Sequence, residues 1–507
     1  MPTYFFCMSQ LKRNIIANYT GKAWTALMSL AFIPLYIKFI GIEAYGLIGF
    51  FVTLQGMFAL LDLGLTTTLN RELARYSAQP GQEQKMCDLV RTLETIYWVI
   101  AILISITIIL LAPFIANDWI NAESLSVETV EQSVILLGIV IAFRWPLKFY
   151  SGGLMGLQRQ ILYNVLESGF ATLRGVGAVL VLWLISPTIE AFFIWQVIIS
   201  LFSTVLMALV LWGSLPKIKR SARFSKQLLH SIWRFATGMT SISALWIILI
   251  QLDKILLSTL LPLKMFSYYM LANVVVSVLN YFIAPIFTAL FPRFSQLIAL
   301  NDITGLAQLY HRACQFMSVI ILPVALVLAM FSYEVMLLWT GDSIIAENTH
   351  WLVSLLVIGT AIHGLIHLPH GLQFAYGWTR LLFYTNLVAV LLLVPMLIIM
   401  VHYYSAIGAA IVWITLNMGY VVFEIQIMHR RLLKGEQWRW YREDVGLPLV
   451  AALATASLGR WLFPAEISQV MTLMYLGALS LATLVITAMV TPQIQVQLKY
   501  YFFNKRY

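Results

Sequence analysis

The sequence predicts an all-α membrane protein that crosses the bilayer about 14 times, each time with a helix of about 20 residues. Three observations lead to this prediction. Of the 507 residues, 61% are hydrophobic and 11% are charged, whereas a soluble domain is about half apolar and about a quarter charged. Apolar stretches long enough to cross the hydrocarbon core recur along the whole chain. The Lys and Arg residues gather in alternate loops between these stretches.

The predicted spans follow one another with short connections. Their bounds are residues 15–38, 45–69, 92–114, 131–152, 161–185, 189–213, 234–258, 265–291, 314–339, 351–377, 381–402, 406–428, 445–463 and 468–490. The stretches between them have at most about 20 residues, which is too short for a separate soluble domain.

The distribution of basic residues predicts that both chain ends lie in the cytoplasm. With the N-terminus inside, only Lys38, Lys264 and Arg460 fall in outer loops, and most of the other Lys and Arg residues fall in inner ones. Cytoplasmic loops of membrane proteins carry such an excess. The net charge of +10 is therefore a consequence of topology, and we expect no nucleic-acid partner.

The first twelve spans form two similar halves. The stretch LMGLQRQILYNV (154–165) aligns with AYGWTRLLFYTN (375–386) and superposes Gly156 on Gly377. Because each half has six spans, both enter the membrane from the same side, which makes them parallel repeats with the substrate expected where they meet. Chance similarity of short apolar motifs is the alternative. We predict four parts: an N-terminal six-helix lobe (1–213), a cytoplasmic basic linker (214–233), a C-terminal six-helix lobe (234–428), and a cytoplasmic loop with helices 13 and 14 (429–507).

The stretch FIPLYIKFIGIEAYGLIGFFVTLQGMFALLDLGLTTTLNRELARYS (32–77) resembles the N-terminal signature of the polysaccharide or O-antigen repeat-unit flippases. It has a proline-containing first helix, a GxEAYGL turn, and LDLGL before a basic loop. The stretch QLDKILLSTLLPLKMFSYYMLAN (251–273) resembles the counterpart in the second half, where an Asp–basic pair, here Asp253 and Lys254, precedes a short loop and an aromatic–Tyr turn. These flippases belong to the multidrug/oligosaccharidyl-lipid/polysaccharide exporter superfamily.

The resemblance implies two six-helix lobes around a central cavity that opens alternately to the two sides of the bacterial inner membrane. The substrate would be an oligosaccharide repeat unit of O-antigen, capsule or exopolysaccharide, carried on undecaprenyl diphosphate. Membrane lipids, a polymerase and other polysaccharide-assembly proteins are the further partners that it implies. Many repeat-unit flippases have twelve helices, and a count of fourteen is shared with other branches, including the peptidoglycan-precursor flippases.

Three cations in the first half are candidates to bind the diphosphate. Arg144 and Lys148 lie one helical turn apart in span 4, and Arg174 lies at a similar depth in span 5. A charge at the bilayer centre is costly, and Arg is suited to phosphate by its bidentate donors. The alternative is structural: Lys148 would pair with Glu167, and the arginines would cap carbonyls freed by Pro146.

Polar stripes on spans 1, 2, 7 and 8 are candidates to line the cavity. We expect Lys22 in span 1 and Asp62 in span 2 to form an ion pair, and the alternatives for them are ion coupling and substrate contact. Asp253 is assigned to ion pairing or coupling as well. The further candidates for substrate binding are Gln251, Lys254, Asn273 and Asn280. Hydrogen bonding between helices is the alternative for such polar residues.

Span 10 carries His363, His367 and His370 on neighbouring turns. We expect His363 and His367 to line the cavity and to bind sugar or water, and packing between helices is the alternative. We expect no metal site, because no acidic or thiol partner lies in the same helix.

The sequence predicts a transporter with no covalent chemistry and no cofactor. It has no Gly-rich phosphate loop, so coupling to H⁺ or Na⁺ is the expected energy source. A cation-coupled multidrug exporter of the same superfamily is one alternative, but a cationic drug would require carboxylates at the midplane. A membrane glycan polymerase or glycosyltransferase is the other, and such enzymes carry a large hydrophilic loop or domain.

Overall fold

The computed structural model describes the backbone of residues 2–217, 220–464 and 467–495, and the side chains within these ranges except those of 2–16 and 231–246. The described chain is helical and falls into two compact units, 1–267 and 268–507. The first unit contains α1 (Pro2–Ala31), α2 (Ile33–Ile40), α3 (Ile42–Phe58), α4 (Leu65–Ser77), α5 (Glu83–Phe114), α6 (Val127–Gly156), α7 (Gln160–Leu184), α8 (Ile189–Ser214) and α9 (Lys226–Leu260).

The helices from α10 onward follow, and α10 itself begins just before the boundary between the units. They are α10 (Leu263–Val276), α11 (Asn280–Ala299), α12 (Ile303–Met330), α13 (Ser332–Thr340), α14 (Ser343–Ala375), α15 (Thr379–Gly419), α16 (Ile425–Leu432), α17 (Gln437–Arg439), α18 (Leu447–Trp461) and α19 (Gln469–Val490). The first unit thus includes α9, on which predicted span 7 falls. The predicted lobes instead follow the sequence repeat and assign span 7 to the C-terminal lobe, and their boundaries stay a prediction.

Within the described residues, eleven helical segments are long and apolar enough to cross a membrane. One of them, 379–432, covers predicted spans 11 and 12, which meet at a kink where Ser405 has φ 54° and ψ −141°. Predicted span 13 falls on α18, which has only 15 residues. Predicted span 7 falls on α9, part of whose side chains lie outside the described residues. The all-helical membrane fold is confirmed. The predicted count of fourteen spans is compatible with these helices and stays a prediction.

The second predicted span is interrupted in both halves of the chain. In the first half, a 3₁₀ turn at Ala59–Asp62 and left-handed backbone at Leu63 and Gly64 separate α3 from α4. In the second half, a 3₁₀ turn at Ser277–Leu279 separates α10 from α11. The two turns lie in predicted spans 2 and 8, which are the second spans of the two repeats. Interrupted helices are tolerated at membrane depth where they are buried in protein or line a water-filled cavity.

Each unit is built around one central helix. In the first unit α6 packs against α4, α5 and α8, and in the second unit α14 packs against α11, α12 and α15. These two central helices carry the predicted fourth and tenth spans, which the repeat also aligns. The equivalent roles of α6 and α14 agree with the predicted parallel repeats.

The last two helices form a hairpin on α12. Val327 and Phe331 at its C-terminal end pack against Ala456 of α18 and Leu476 of α19. At the other end, His311 of α12 contacts Asp444. Asp444 lies in a short π-helical turn, Trp440–Gly446, that directly precedes α18. The hairpin therefore belongs to the second unit and is held there by both apolar and polar contacts.

Candidate substrate site

The Asp62 carboxylate lies at the interruption between α3 and α4 and has three partners. Thr66 of α4 donates a hydrogen bond of 2.5 Å to Oδ1, and Tyr97 of α5 donates to the same oxygen. Lys148 of α6 places its Nζ 3.7 Å from Oδ2. The Asp62 side chain is 10% exposed, whereas the Lys148 side chain is 55% exposed. A buried, well-anchored carboxylate therefore faces an accessible ammonium group.

The predicted ion pair between Lys22 and Asp62 is not formed. Lys22 is exposed on α1, and α1 packs against α7. That contact includes a hydrogen bond of 2.9 Å from Asn18 to Gln160. Depth along the membrane placed Lys22 beside Asp62, but the helix that brings a cation to Asp62 is α6, through Lys148.

Arg174 forms a close ion pair with Glu167 on the preceding turns of α7. The guanidinium Nη2 lies 2.7 Å from Oε1 of Glu167, and Nε donates to the carbonyl oxygen of Phe170 over 3.3 Å. The structural alternative, in which Lys148 pairs with Glu167, is therefore wrong in its choice of partners. The carbonyl that Arg174 contacts belongs to its own helix, and Pro146 did not free it.

Arg144 is half-buried on α6, one turn before Lys148. Its guanidinium carbon lies 5.5 Å from the centre of the Phe51 ring of α3, a cation–π distance. Among the described side chains, no carboxylate oxygen lies within 4.0 Å of this guanidinium. Arg144 is thus the cation of this cluster that lacks a close carboxylate.

Of the candidate residues on α9, Lys254 pairs with Asp253, and Gln251 packs against α3. Lys254 Nζ lies 3.1 Å from both oxygens of Asp253 and 2.7 Å from the carbonyl oxygen of Ile250. The Gln251 amide fills the space above Gly56 of α3, and its Oε1 is buried with no hydrogen-bond donor among the described residues. Lys254 and Gln251 therefore contribute to the packing of α9 in the first unit, and their predicted role in substrate binding stays a prediction.

The amide candidates of the second unit lie on either side of its interrupted helix. Asn273 donates a hydrogen bond of 3.0 Å to the carbonyl oxygen of Tyr269. Asn280 is exposed at the start of α11, directly after the 3₁₀ turn Ser277–Leu279. The second half thus carries an uncharged amide next to its 3₁₀ turn, whereas the first half carries the Asp62 carboxylate within its own.

The histidines of α14 face its helical neighbours. His363 Nδ1 lies 3.0 Å from Oδ1 of Asn417, and the rings of His363 and His367 are 4.9 Å apart. Within the residues searched for one, no group of three or more His, Cys, Asp and Glu side chains is arranged to hold a metal ion. The predicted contact of His363 and His367 with sugar or water stays a prediction.

The sequence analysis missed Glu424, a fully buried carboxylate at the end of predicted span 12. Its Oε1 lies 3.0 Å from Nε2 of His370 and accepts a hydrogen bond of 2.8 Å from Gln373. An ionisable residue inside a membrane span is a candidate for function by default. The signal was therefore present in the sequence, as a single acidic residue in an otherwise apolar stretch.

The sequence and the fold both match known proteins. Residues 11–298 match the family described as "Polysaccharide biosynthesis protein". A Shigella flexneri protein named as a candidate O-antigen transporter is 22% identical over 405 residues, which are 79% of this chain and 93% of that protein. Among solved structures, "Lipid II flippase MurJ, inward closed conformation" has a TM-score of 0.70 at 13% identity, over 95% of this chain and 99% of that chain.

A second similar structure is an inward-facing "multidrug resistance MATE family transporter of the MOP superfamily". Its TM-score is 0.67 at 16% identity, over 80% of this chain and 94% of that chain. At these identities the two structures support the fold alone.

Proposed function

Because the chain belongs to the polysaccharide biosynthesis protein family, matched over residues 11–298, we propose that it flips undecaprenyl-diphosphate-linked oligosaccharide repeat units across the bacterial inner membrane by alternating access. It is a multi-pass membrane transporter, and its family and relatives are transporters and flippases, not enzymes. The repeat units would be those of O-antigen, capsule or exopolysaccharide, in keeping with the name of the Shigella flexneri relative.

The observation that carries the proposal is the cationic cluster of the first unit. Lys148 and Arg144 lie on the same face of a membrane-spanning helix, Lys148 is more than half exposed, and Arg144 has no close carboxylate among the described side chains. A cation that faced lipid at this depth would cost about 2.5–3.5 kcal/mol even on insertion scales. We therefore infer that these groups face water and, when substrate is present, the diphosphate.

The carboxylates argue against a cationic drug as the substrate. Asp62 is held by Thr66, Tyr97 and Lys148, and Glu424 is fully buried against His370. Neither offers the exposed negative charge that a cationic compound requires. The energy for export would come from coupled H⁺ or Na⁺ movement, since the sequence has no phosphate-binding Gly-rich loop.

The test compares Arg144→Gln and Arg144→Lys with Arg159→Gln, which removes an exposed cation from the inner loop after α6. Loss of one contact to a doubly charged group should lower export by at least about tenfold, equivalent to about 1.4 kcal/mol. Arg144→Lys should be nearly as impaired as Arg144→Gln, because an ammonium group cannot reproduce the planar guanidinium fork.

Cells that carry the Arg144 variants at normal protein abundance should accumulate lipid-linked repeat units in the inner leaflet and lose surface glycan. Cells with Arg159→Gln should keep both at the wild-type level. Normal export by Arg144→Gln, at normal abundance, would exclude Arg144 from the substrate site.

A further inference from the structure

Asp62 is the fixed member of its pair with Lys148. Tyr97 and Thr66 both donate to its Oδ1. Tyr97 is itself fully buried, with its ring centre 4.5 Å from that of Trp145. These two hydroxyl donors, one of them on a packed and buried ring, hold the carboxylate in place.

Lys148 is the movable member. Its side chain is 55% exposed, and its Nζ lies 3.7 Å from Oδ2 of Asp62, which is beyond the range of an N–H···O hydrogen bond. A lysine side chain is a flexible four-carbon stem that carries a point charge. It is therefore free to leave Asp62 for another anion within reach.

Any anion that binds Arg144 comes within reach of Lys148, because residues four apart on a helix are neighbours on one face. That anion must share Lys148 with Asp62 or displace it. When the anion leaves, Asp62 is still in place and takes Lys148 back.

We propose that Asp62 is a built-in counter-anion that competes with the substrate diphosphate for Lys148 and so promotes substrate release. The inference rests on the proposed function, which supplies the diphosphate. Asp62 acts through Lys148 and is a positioning residue. The competition weakens binding in exchange for faster turnover, which a transporter requires more than affinity.

The experiment uses the full-length chain in nanodiscs and geranylgeranyl diphosphate as the binding probe, alongside glycan export in cells. Asp62→Asn removes the charge and keeps a side chain of the same shape. Removal of a partly exposed ion pair should tighten probe binding on the order of fivefold and should lower the maximal rate of export. In the Lys148→Met background, Asp62→Asn should change binding less than twofold, about 0.4 kcal/mol.

Asp118→Asn, which removes an exposed carboxylate after α5, is the control for net charge and should leave probe affinity unchanged. Unchanged or weaker binding by Asp62→Asn would overturn the inference, as would a fivefold gain that persists without Lys148. Asp62→Ser gives the same comparison if Asp62→Asn does not fold. Failure of the wild-type chain to bind the probe would instead count against the proposed function.

Discussion

The contact between His311 of α12 and Asp444 should be the polar interaction that fastens the C-terminal hairpin most strongly. His311 Nδ1 lies 2.5 Å from Oδ2 of Asp444, its Nε2 lies 3.1 Å from Oε2 of Glu436, and both His311 and Asp444 are fully buried. Gln315 donates a further hydrogen bond of 2.9 Å to Asp444. His311→Leu would leave a buried carboxylate with one neutral donor. Such a change costs about 3–5 kcal/mol.

Glu443, the neighbour of Asp444, provides the matched control. It pairs with Arg442 at 2.8 Å and with Arg439 at 3.2 Å, and these two arginine side chains are 78% and 34% exposed. The hydrogen bond from Arg442 lowers the pKa of Glu443, yet pairs this open to water contribute only about 0–1 kcal/mol each. Glu443→Gln should therefore change stability little, although it removes a carboxylate charge next to Asp444.

Heating in detergent separates the two variants. Cys314 lies on α12 one turn from His311 and is buried, so its reaction with a thiol probe, in a Cys7→Ser, Cys87→Ser background, reports opening of this region. A loss of 3–5 kcal/mol in a unit of this size corresponds to a shift in midpoint on the order of 10 °C. His311→Leu should show that shift, and a second change, Asp444→Leu, should restore part of it, because the buried carboxylate that lost its partner is then removed as well. Equal midpoints for His311→Leu and Glu443→Gln would refute this account.

Two more predictions concern topology and helix packing. A reporter enzyme fused after Arg506 should be active in the cytoplasm, and one inserted near Glu123 should be active on the outer side; the reverse pattern would invert the orientation derived from the basic loops. Gly156→Ala should destabilise the protein by about 1–3 kcal/mol, because the added Cβ would lie 2.7 Å from the backbone oxygen of Asn70. Gly169→Ala, whose Cβ meets nothing within 4 Å, should leave thermal stability equal or higher, and a similar loss in both variants would contradict the packing argument.

The fold followed from the sequence because its determinants are local or periodic. Span length depends on the bilayer alone, and the repeat is visible in short aligned motifs such as those around Gly156 and Gly377. The interrupted second helix was less accessible. Asp62–Gly64 contains a left-handed Leu63, which no residue preference predicts, and only the structure shows that the second span of each half is interrupted by a 3₁₀ turn.

Partner choice within the site did not follow from the sequence. Depth along the membrane, counted from the ends of the predicted spans, singled out Lys22, Asp62 and Lys148, but depth does not say which helices are neighbours. The pairing of Asp62 with Lys148 depends on α4 and α6 being in contact. Glu424 was missed for a related reason, since its partners come from another helix, α14, and a span reads as apolar despite one acidic residue.

The three cations of the first unit are neutralised to different degrees, and this gradation fits a protein that must fold empty and still bind an anion. Arg174 is closely paired with Glu167 at 2.7 Å, Lys148 is loosely paired with Asp62 at 3.7 Å, and Arg144 lies over the Phe51 ring with no carboxylate within 4.0 Å among the described side chains. Three unpaired cations at one depth would repel one another and destabilise the empty protein. Three tightly paired cations would have little attraction left for a diphosphate. One cation held for structure, one that exchanges partners and one kept available satisfy both requirements. Charge removal should accordingly affect folding most at Arg174 and export most at Arg144.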